Sequence, residues 1–243
     1  MRRLLVVLLL VCGATRLEAA HIHTENASDG PSASTTTTIA SYTASAGNLI
    51  TCATMTFGSG GAPDVSGIAR GGQSFTLGRR EDASDTGTQL VEIWYLANAS
   101  STTNNIVATW ASTPSYRLLI CSEFSGVATS SPLDGAGGGT SSSGTTANVT
   151  YSATGSSLFY GAVAAGSSGS FSANNSWTIP TNGSDASNMP GAVAYLDSPG
   201  SASQEVSFNI DSSSWGVVGV AFVDAGGGGG GACGQRALTG VGC

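Results

Sequence analysis

Two carboxylates are the side chains best placed for acid–base chemistry. Glu92 and Glu123 each lie within a run of apolar and aromatic residues that would shield a carboxyl group from water. Cleavage of a glycosidic bond needs two acids about 5 to 9 Å apart. Glu92 and Glu123 are therefore the candidate catalytic residues of a polysaccharide-processing enzyme. One acid per strand is also the ordinary pattern of a solvated sheet face, so the pair has a structural interpretation as well.

Chemistry that depends on histidine or lysine finds little support in the sequence. The two histidines, His21 and His23, are expected at the mature amino terminus and outside the fold. A serine hydrolase needs an imidazole inside the fold, and a zinc site needs at least one more ligand than these two. No lysine occurs in the chain, which excludes Schiff-base and P-loop chemistry.

The acidic segment 81–85 is a candidate calcium site. It places three acids in a predicted loop, and oxygen-rich loops bind calcium in many extracellular sandwiches. Its candidate ligands are Glu81, Asp82 and Asp85. Arg79 and Arg80 come directly before the acids and can neutralise them instead. Apart from this calcium ion, we expect no cofactor.

Sugar binding would require an exposed aromatic ring. Trp94 and Trp215 belong to strands that look buried, so they are expected in the core. Trp177 lies in a polar stretch just before Pro180, close to a predicted loop. Trp177 is therefore the candidate platform on which a sugar ring could stack.

The elements that must position these side chains are β-strands. Short apolar or alternating runs separated by Gly, Ser, Asn and Pro clusters fill residues 34–224, and no stretch sustains a helical period. Segments 158–165 and 215–223 are apolar on both faces, which predicts central strands. The pattern predicts an all-β fold, a two-sheet antiparallel β-sandwich of the jelly-roll or concanavalin-like type. An immunoglobulin-like sandwich is the alternative.

The two ends of the chain differ in composition from the middle. Arg2 and Arg3 precede an apolar run, residues 4–11, that is too short to span a bilayer and is typical of a signal peptide. Cys12 closes this run, so a periplasmic or outer-membrane lipoprotein is an alternative destination. Six consecutive glycines begin the other end. The predicted organisation is a signal peptide over 1–20, a flexible segment over 21–33, a β-sandwich domain over 34–224 and a Gly-rich, Cys-containing tail over 225–243.

Four cysteines remain after removal of the predicted signal peptide. An even number in an exported chain permits disulfides. Cys52 and Cys121 lie in two predicted interior strands and can form a bridge if those strands are neighbours. The alternative is that both are small buried apolar residues. Cys233 and Cys243 in the tail are the second candidate pair.

Several short segments resemble a β-sandwich module found in secreted bacterial and phage-associated proteins. The most specific are Glu123-Phe124-Ser125-Gly126-Val127 and, a few residues later, Ser131-Pro132-Leu133-Asp134. The resemblance covers most of residues 34–224. It implies a cell-surface or extracellular bacterial β-sandwich that often accompanies adhesion modules, with no established activity.

The charge of the chain narrows the partners further. Eight basic residues against fifteen acidic ones give a formal charge of −7, which disfavours nucleic-acid binding. We expect an exported, non-enzymatic surface or adhesion-type module with weak glycan binding, whose partner is an extracellular glycan or a surface protein. We expect no transmembrane span in the mature chain. The alternatives are the polysaccharide-processing enzyme and a phage or fibre structural component.

Overall fold

The fold is a stack of antiparallel β-sheets. The computed structural model describes residues 18–31, 33–82, 88–154, 157–167, 169–185, 189–197, 199 and 202–225. In these ranges the chain forms seventeen strands in four sheets and contains no helix. The predicted all-β sandwich class is confirmed, with four sheets where the sequence analysis expected two.

The first two sheets come from residues before position 126. Their strands are β1 (Ala20–Asp29), β2 (Thr36–Thr43), β3 (Leu49–Phe57), β4 (Val65–Arg70), β5 (Gln73–Ser74), β6 (Thr76–Asp82), β7 (Gln89–Leu96), β8 (Thr103–Trp110) and β9 (Tyr116–Ser125). The first inner sheet has the order β1-β9-β3-β7-β6, and the first outer sheet has the order β2-β8-β4-β5. We call this pair the N-terminal sandwich.

The other two sheets form the C-terminal sandwich. Their strands are β10 (Leu133–Ser141), β11 (Thr146–Ser152), β12 (Ser157–Ala165), β13 (Ser172–Ala173), β14 (Ser184–Asp185), β15 (Gly191–Leu196), β16 (Ser203–Asn209) and β17 (Trp215–Val223). The second inner sheet has the order β10-β17-β12-β15-β14, and the second outer sheet has the order β11-β16-β13.

The two sandwiches are wound in the same way. In each, the chain crosses repeatedly between the inner and the outer sheet, as in jelly-roll winding, although two successive strands stay in the inner sheet, β6 and β7 in the first and β14 and β15 in the second. In each inner sheet the first strand in chain order pairs with the last in chain order, β1 with β9 and β10 with β17. A β-bulge interrupts both pairings near the start of β1 and of β10. The spacing of Tyr42, Leu49 and Ala53 recurs in Tyr151, Leu158 and Ala162 at the same places in the second copy. The structure is therefore an internal repeat of one jelly-roll unit.

Apolar side chains fill all three spaces between the four sheets. Trp110 and Ile106 lie between the first outer and first inner sheets. Phe124 and Tyr160 lie between the two inner sheets. Phe208 packs between the second inner and second outer sheets. Because each inner sheet is covered on both faces, its central strands need apolar residues on both sides, and this explains the continuous apolar runs in the sequence.

A disulfide joins the two central strands of the first inner sheet. Cys52 on β3 lies directly opposite Cys121 on β9, with a Cα–Cα distance of 4.1 Å. Both side chains are fully buried. The predicted Cys52–Cys121 bridge is present, and Cys233 and Cys243 lie outside the described residues.

The C-terminal sandwich has glycines where the N-terminal sandwich has this disulfide. Gly161 on β12 lies opposite Gly219 on β17, at the register position of Cys52 and Cys121. A methyl group on Gly219 would overlap the ring of Tyr151, which is buried and donates its hydroxyl to the carbonyl of Tyr160 at 3.2 Å. The close approach of Tyr151 therefore requires glycine at position 219.

Gly219→Ala is expected to lower the free energy of unfolding by about 2 kcal/mol, because the buried Tyr151 ring must shift to admit the methyl group. Urea denaturation followed by fluorescence measures the loss. Gly67→Ala is the matched control, since a methyl group there meets no atom within 4 Å, and it should change stability by less than about 0.5 kcal/mol. Equal stabilities for the two variants would contradict the packing described.

The segment predicted to be flexible forms part of the fold. The sequence analysis placed residues 21–33 outside the sandwich, but Ala20–Asp29 forms β1 and pairs with β9 along its whole length. Ala19 is buried in the cluster between the inner sheets. The strand was missed because it lies at a sheet edge, where most side chains are polar and partly exposed. The expectation that His21 and His23 lie outside the fold was therefore wrong.

Candidate functional site

The structure does not bring the two candidate catalytic acids together. Glu92 on β7 lies opposite Thr54 on β3, whereas Glu123 on β9 lies opposite Ile50. Four residues of extended strand separate these positions by about 13 Å, and the two acids flank β3 from opposite sides. They cannot share one substrate bond at the separation that glycoside cleavage requires.

Glu92 is a buried anchor between the sheets of the N-terminal sandwich. Its carboxylate accepts hydrogen bonds from Arg80 Nε at 2.6 Å, from Thr54 at 3.1 Å and from the Val65 amide and Trp94 Nε1, each at 3.3 Å. Burial raises the pKa of Glu92, and the Arg80 guanidinium and these hydrogen bonds oppose that rise. Its donors leave no room for a substrate, which indicates a structural role.

The candidate sugar platform is not at the surface. Trp177 is only 6 % exposed and packs between the second inner and second outer sheets, so the prediction of an exposed ring was wrong. A turn closed by the Trp177 amide on the Asn174 carbonyl at 3.2 Å directs the ring inward. Trp94 and Trp215 are buried as expected, and so is Trp110.

The calcium candidates do not form a site in the part of the chain that the structure describes. Glu81 is engaged by Arg79 Nη2 at 2.8 Å, as the neutralising alternative predicts. Asp82 ends β6, and Asp85 lies outside the described residues. Among the residues described, no group of three or more His, Cys, Asp and Glu side chains could hold a metal ion.

The histidines and a buried carboxylate meet on and beside β1. Glu123 is buried, and its Oε1 accepts hydrogen bonds from the Ser45 amide at 2.8 Å and from Asn48 Nδ2 at 2.6 Å. Its Oε2 lies 3.2 Å from Nδ1 of His23. The His23 ring packs on Tyr42 with 4.6 Å between ring centroids. A carboxylate that holds Nδ1 fixes the orientation of the ring, so that Nε2 is free for another contact.

The other histidine faces the C-terminal sandwich. His21 stacks on Tyr195 with 4.8 Å between centroids and meets Phe124 edge to face. Its Nε2 lies 2.9 Å from the Thr24 hydroxyl, which lies 2.8 Å from the Ser122 hydroxyl. The two histidines therefore lie on opposite sides of β1, because the β-bulge between them changes the direction of one side chain.

Two grooves flank β1 and share its residues Ile22, His23 and Glu25. The Tyr195 groove has a volume of about 510 Å³ and is bounded by β1, Tyr195 and the segment 178–182. The Tyr42 groove has a volume of about 570 Å³ and is bounded by β1, residues 40–45 and Glu123. Ile22 is half exposed between the two.

The internal repeat shows which parts of this site the fold itself needs. A carboxylate clamps the loop before the third strand in both sandwiches, since Asp134 accepts hydrogen bonds from the Thr154 amide and hydroxyl at 2.7 and 2.6 Å. The positions of His21 and His23, in contrast, are held by Leu133 and Gly135 in the second copy. The jelly roll therefore forms without imidazoles at this edge, and their presence calls for another explanation.

Sequence reasoning missed this site because it assigned the histidines to a flexible tail. The polar, partly exposed edge strand β1 has no burial pattern that could have indicated their place. The chain matches no known family model, and comparison with curated proteins finds no match. In the described residues no helix is long and apolar enough to cross a membrane.

Proposed function

We propose that this chain is an exported, non-enzymatic surface or adhesion-type module that binds an extracellular glycan weakly in the grooves beside β1. One observation carries the proposal. Two imidazoles line these grooves at positions where the repeated unit has Leu133 and Gly135. Groups that a fold does not require and that line a groove are the best candidates for ligand contact.

Export is supported by the cysteine chemistry and by the amino-terminal sequence. A buried disulfide such as Cys52–Cys121 is typical of proteins in oxidising compartments, among them the periplasm and the cell exterior. Arg2 and Arg3 followed by the apolar residues 4–11 have the pattern of a secretory signal. Both features agree with an extracellular or cell-surface location.

The lining of the Tyr195 groove is suited to a hydroxyl-rich ligand. Thr178, Thr181 and Asn182 offer hydroxyl and amide groups opposite His21, and Glu25 offers a carboxylate. Such groups form hydrogen bonds to sugar hydroxyls, while Ile22 provides a small exposed apolar surface between the grooves. Among the described residues that line the two grooves there is no lysine or arginine, so an anionic ligand is a poor fit.

A glycan array probed with the full chain tests this function. Ile22→Ser and His23→Gln should each reduce the signal about tenfold, because they alter the shared lining of both grooves. Leu77→Ser is the matched control, since Leu77 is also an exposed apolar residue but lies on β6, far from β1 in the sheet order. Absence of any glycan signal, or an equal loss in Leu77→Ser, would refute the proposed ligand.

A further inference from the structure

A small cleft lies between the two inner sheets, at the end of β3 and β9 that is farther from the grooves beside β1. Its volume is about 210 Å³. The walls of this cleft, which we call the Gln89 cleft, include Phe57, Gln89, Tyr116, Gly166 and Met189. Tyr116 lies seven residues along β9 from Glu123, or about 23 Å of extended strand. The Gln89 cleft is therefore separate from the site proposed for the glycan.

The internal repeat accounts for the space in this cleft. In the N-terminal sandwich the ends of β3 and β9 carry two aromatic rings, Phe57 and Tyr116, which pair across the strands with 6.0 Å between centroids. The register that aligns the disulfide with its pair of glycines places Gly166 and Ser214 at the equivalent positions, where the Gly166 amide donates to the Ser214 carbonyl at 2.8 Å. One copy thus has a glycine and a serine where the other has two rings.

One buried polar group in the wall lacks a full set of partners. Gln89 is only 4 % exposed, and its Nε2 donates to the Ser214 hydroxyl at 3.3 Å. Among the residues that the structure describes, its Oε1 has no hydrogen-bond partner. A hydroxyl group can donate as well as accept, so either end of the amide can bind Ser214, and the other end then stays unpaired. A ligand that pairs with this end removes the cost of burying it.

We propose that the Gln89 cleft binds a small neutral phenol, with its ring beside Phe57 and Tyr116 and its hydroxyl group hydrogen-bonded to Gln89. The volume suits a single ring, because a cavity of about 150 Å³ can hold benzene. The described residues that line the cleft include none with a charge, so a neutral molecule fits better than an ion.

A phenolic hydroxyl group also matches the chemistry of the glutamine amide. It can donate to the carbonyl oxygen or accept from the amide nitrogen, so it can pair with whichever end Ser214 leaves free. The last torsion of a glutamine side chain is broad, which lets the unpaired end turn toward the ligand. A ring without a polar atom would leave this end of the amide unpaired.

A titration with phenol itself tests the proposal without any glycan. The chain has three methionines, so the methyl group of Met189 in the wall of the cleft can be followed by NMR after labelling of the methionine methyl groups with ¹³C. We expect phenol to shift this signal with a Kd of about 1 mM, which is within reach of a ligand of one ring. A signal that does not move up to about 20 mM phenol would overturn the proposal.

Two ligands and two variants isolate the hydrogen bond. Gln89→Leu removes the amide and should weaken phenol about fivefold relative to benzene, which cannot form this bond. Benzene should still shift the Met189 signal, which also shows that the variant is folded. Gln204→Leu is the matched control, since Gln204 lies on β16 in the second outer sheet, and it should change neither affinity. An unchanged ratio of the two affinities in Gln89→Leu would exclude the proposed role of the amide.

Another variant tests the position of the ring. A Cβ atom on Gly166 would lie 2.8 Å from Gln89 Nε2 and 2.7 Å from Ser214 Oγ, and both atoms are at the ends of flexible side chains. Gly166→Phe therefore directs a ring into the Gln89 cleft and should abolish the response to phenol. Gly67→Phe is the matched control, because a Cβ atom there meets no atom within 4 Å, and it should bind phenol normally. Binding that persists in Gly166→Phe would contradict the assignment of the cleft.

The tyrosine side chain of a protein partner carries the same ring chemistry, and a peptide analogue distinguishes the two sources. N-acetyltyrosinamide attaches the phenol ring to a backbone fragment that a cleft of about 210 Å³ cannot enclose together with the ring. Phenol should therefore shift the Met189 signal at a lower concentration than N-acetyltyrosinamide does. The opposite order would overturn the small-molecule ligand and assign the cleft to a tyrosine of a partner protein.

Discussion

Loss of the Cys52–Cys121 disulfide should lower the free energy of unfolding by about 4 kcal/mol, because the bond closes a loop across a sequence separation of 69 residues. The double variant Cys52→Ala/Cys121→Ala removes the bond and keeps small apolar side chains at two fully buried positions. The equivalent pair in the C-terminal sandwich is Gly161 and Gly219, which indicates that this register folds without a crosslink. Urea denaturation of the variant and the oxidised chain measures the difference.

A reducing agent provides the matched control for this experiment. Reduction of the unmodified chain should shift its urea midpoint nearly as far as the double substitution does, and it should leave the double variant unchanged. Equal midpoints for the oxidised chain and the double variant would contradict the stabilising role of the bond. A midpoint of the double variant that responds to the reducing agent would indicate a second stabilising disulfide, for which Cys233 and Cys243 are the candidates.

The fold class could be predicted because burial imposes a visible pattern on the strands. The alternation of Val206, Phe208 and Ile210 with polar residues predicts one buried face, and these three side chains are buried as expected. The apolar run around Val217 belongs to a central strand of an inner sheet, covered on both sides. Such patterns reflect local periodicity and need no knowledge of distant contacts.

The internal repeat was hidden by loops of different length. Tyr42 and Leu49 recur 109 residues later as Tyr151 and Leu158, but Tyr95 recurs 100 residues later as Tyr195. No single period therefore aligns the two halves. The repeat becomes evident only when the order of the strands in the inner sheets is compared.

The site beside β1 could not be predicted because it depends on contacts far apart in the sequence. His23 and Glu123 are one hundred positions apart and meet only because β1 pairs with β9. Trp177 failed as a prediction for a related reason: polar neighbours in the sequence say nothing about the direction of a ring at a turn. An edge strand with polar side chains has no burial pattern that would distinguish it from a tail.

The second large effect is expected at Arg80, the cation that neutralises Glu92. Arg80→Met leaves the Glu92 carboxylate buried without its charged partner and should lower the free energy of unfolding by about 3 kcal/mol at pH 7.5. The pKa of Glu92 is already raised by burial, and removal of Arg80 raises it further. The loss should therefore shrink as pH falls through this raised pKa, because Glu92 takes up a proton in the folded chain.

The double variant Arg80→Met/Glu92→Gln separates the buried charge from the lost packing of the arginine. A glutamine can still accept hydrogen bonds from Thr54 and Trp94 but carries no charge, so the double variant should be more stable at pH 7.5 than Arg80→Met alone. Its stability should also depend less on pH between 7.5 and 4.5. Two outcomes would show that Arg80 does not hold Glu92 in its charged form. One is a free energy of unfolding for Arg80→Met within about 0.5 kcal/mol of that of the unmodified chain, and the other is a loss of stability that does not change with pH.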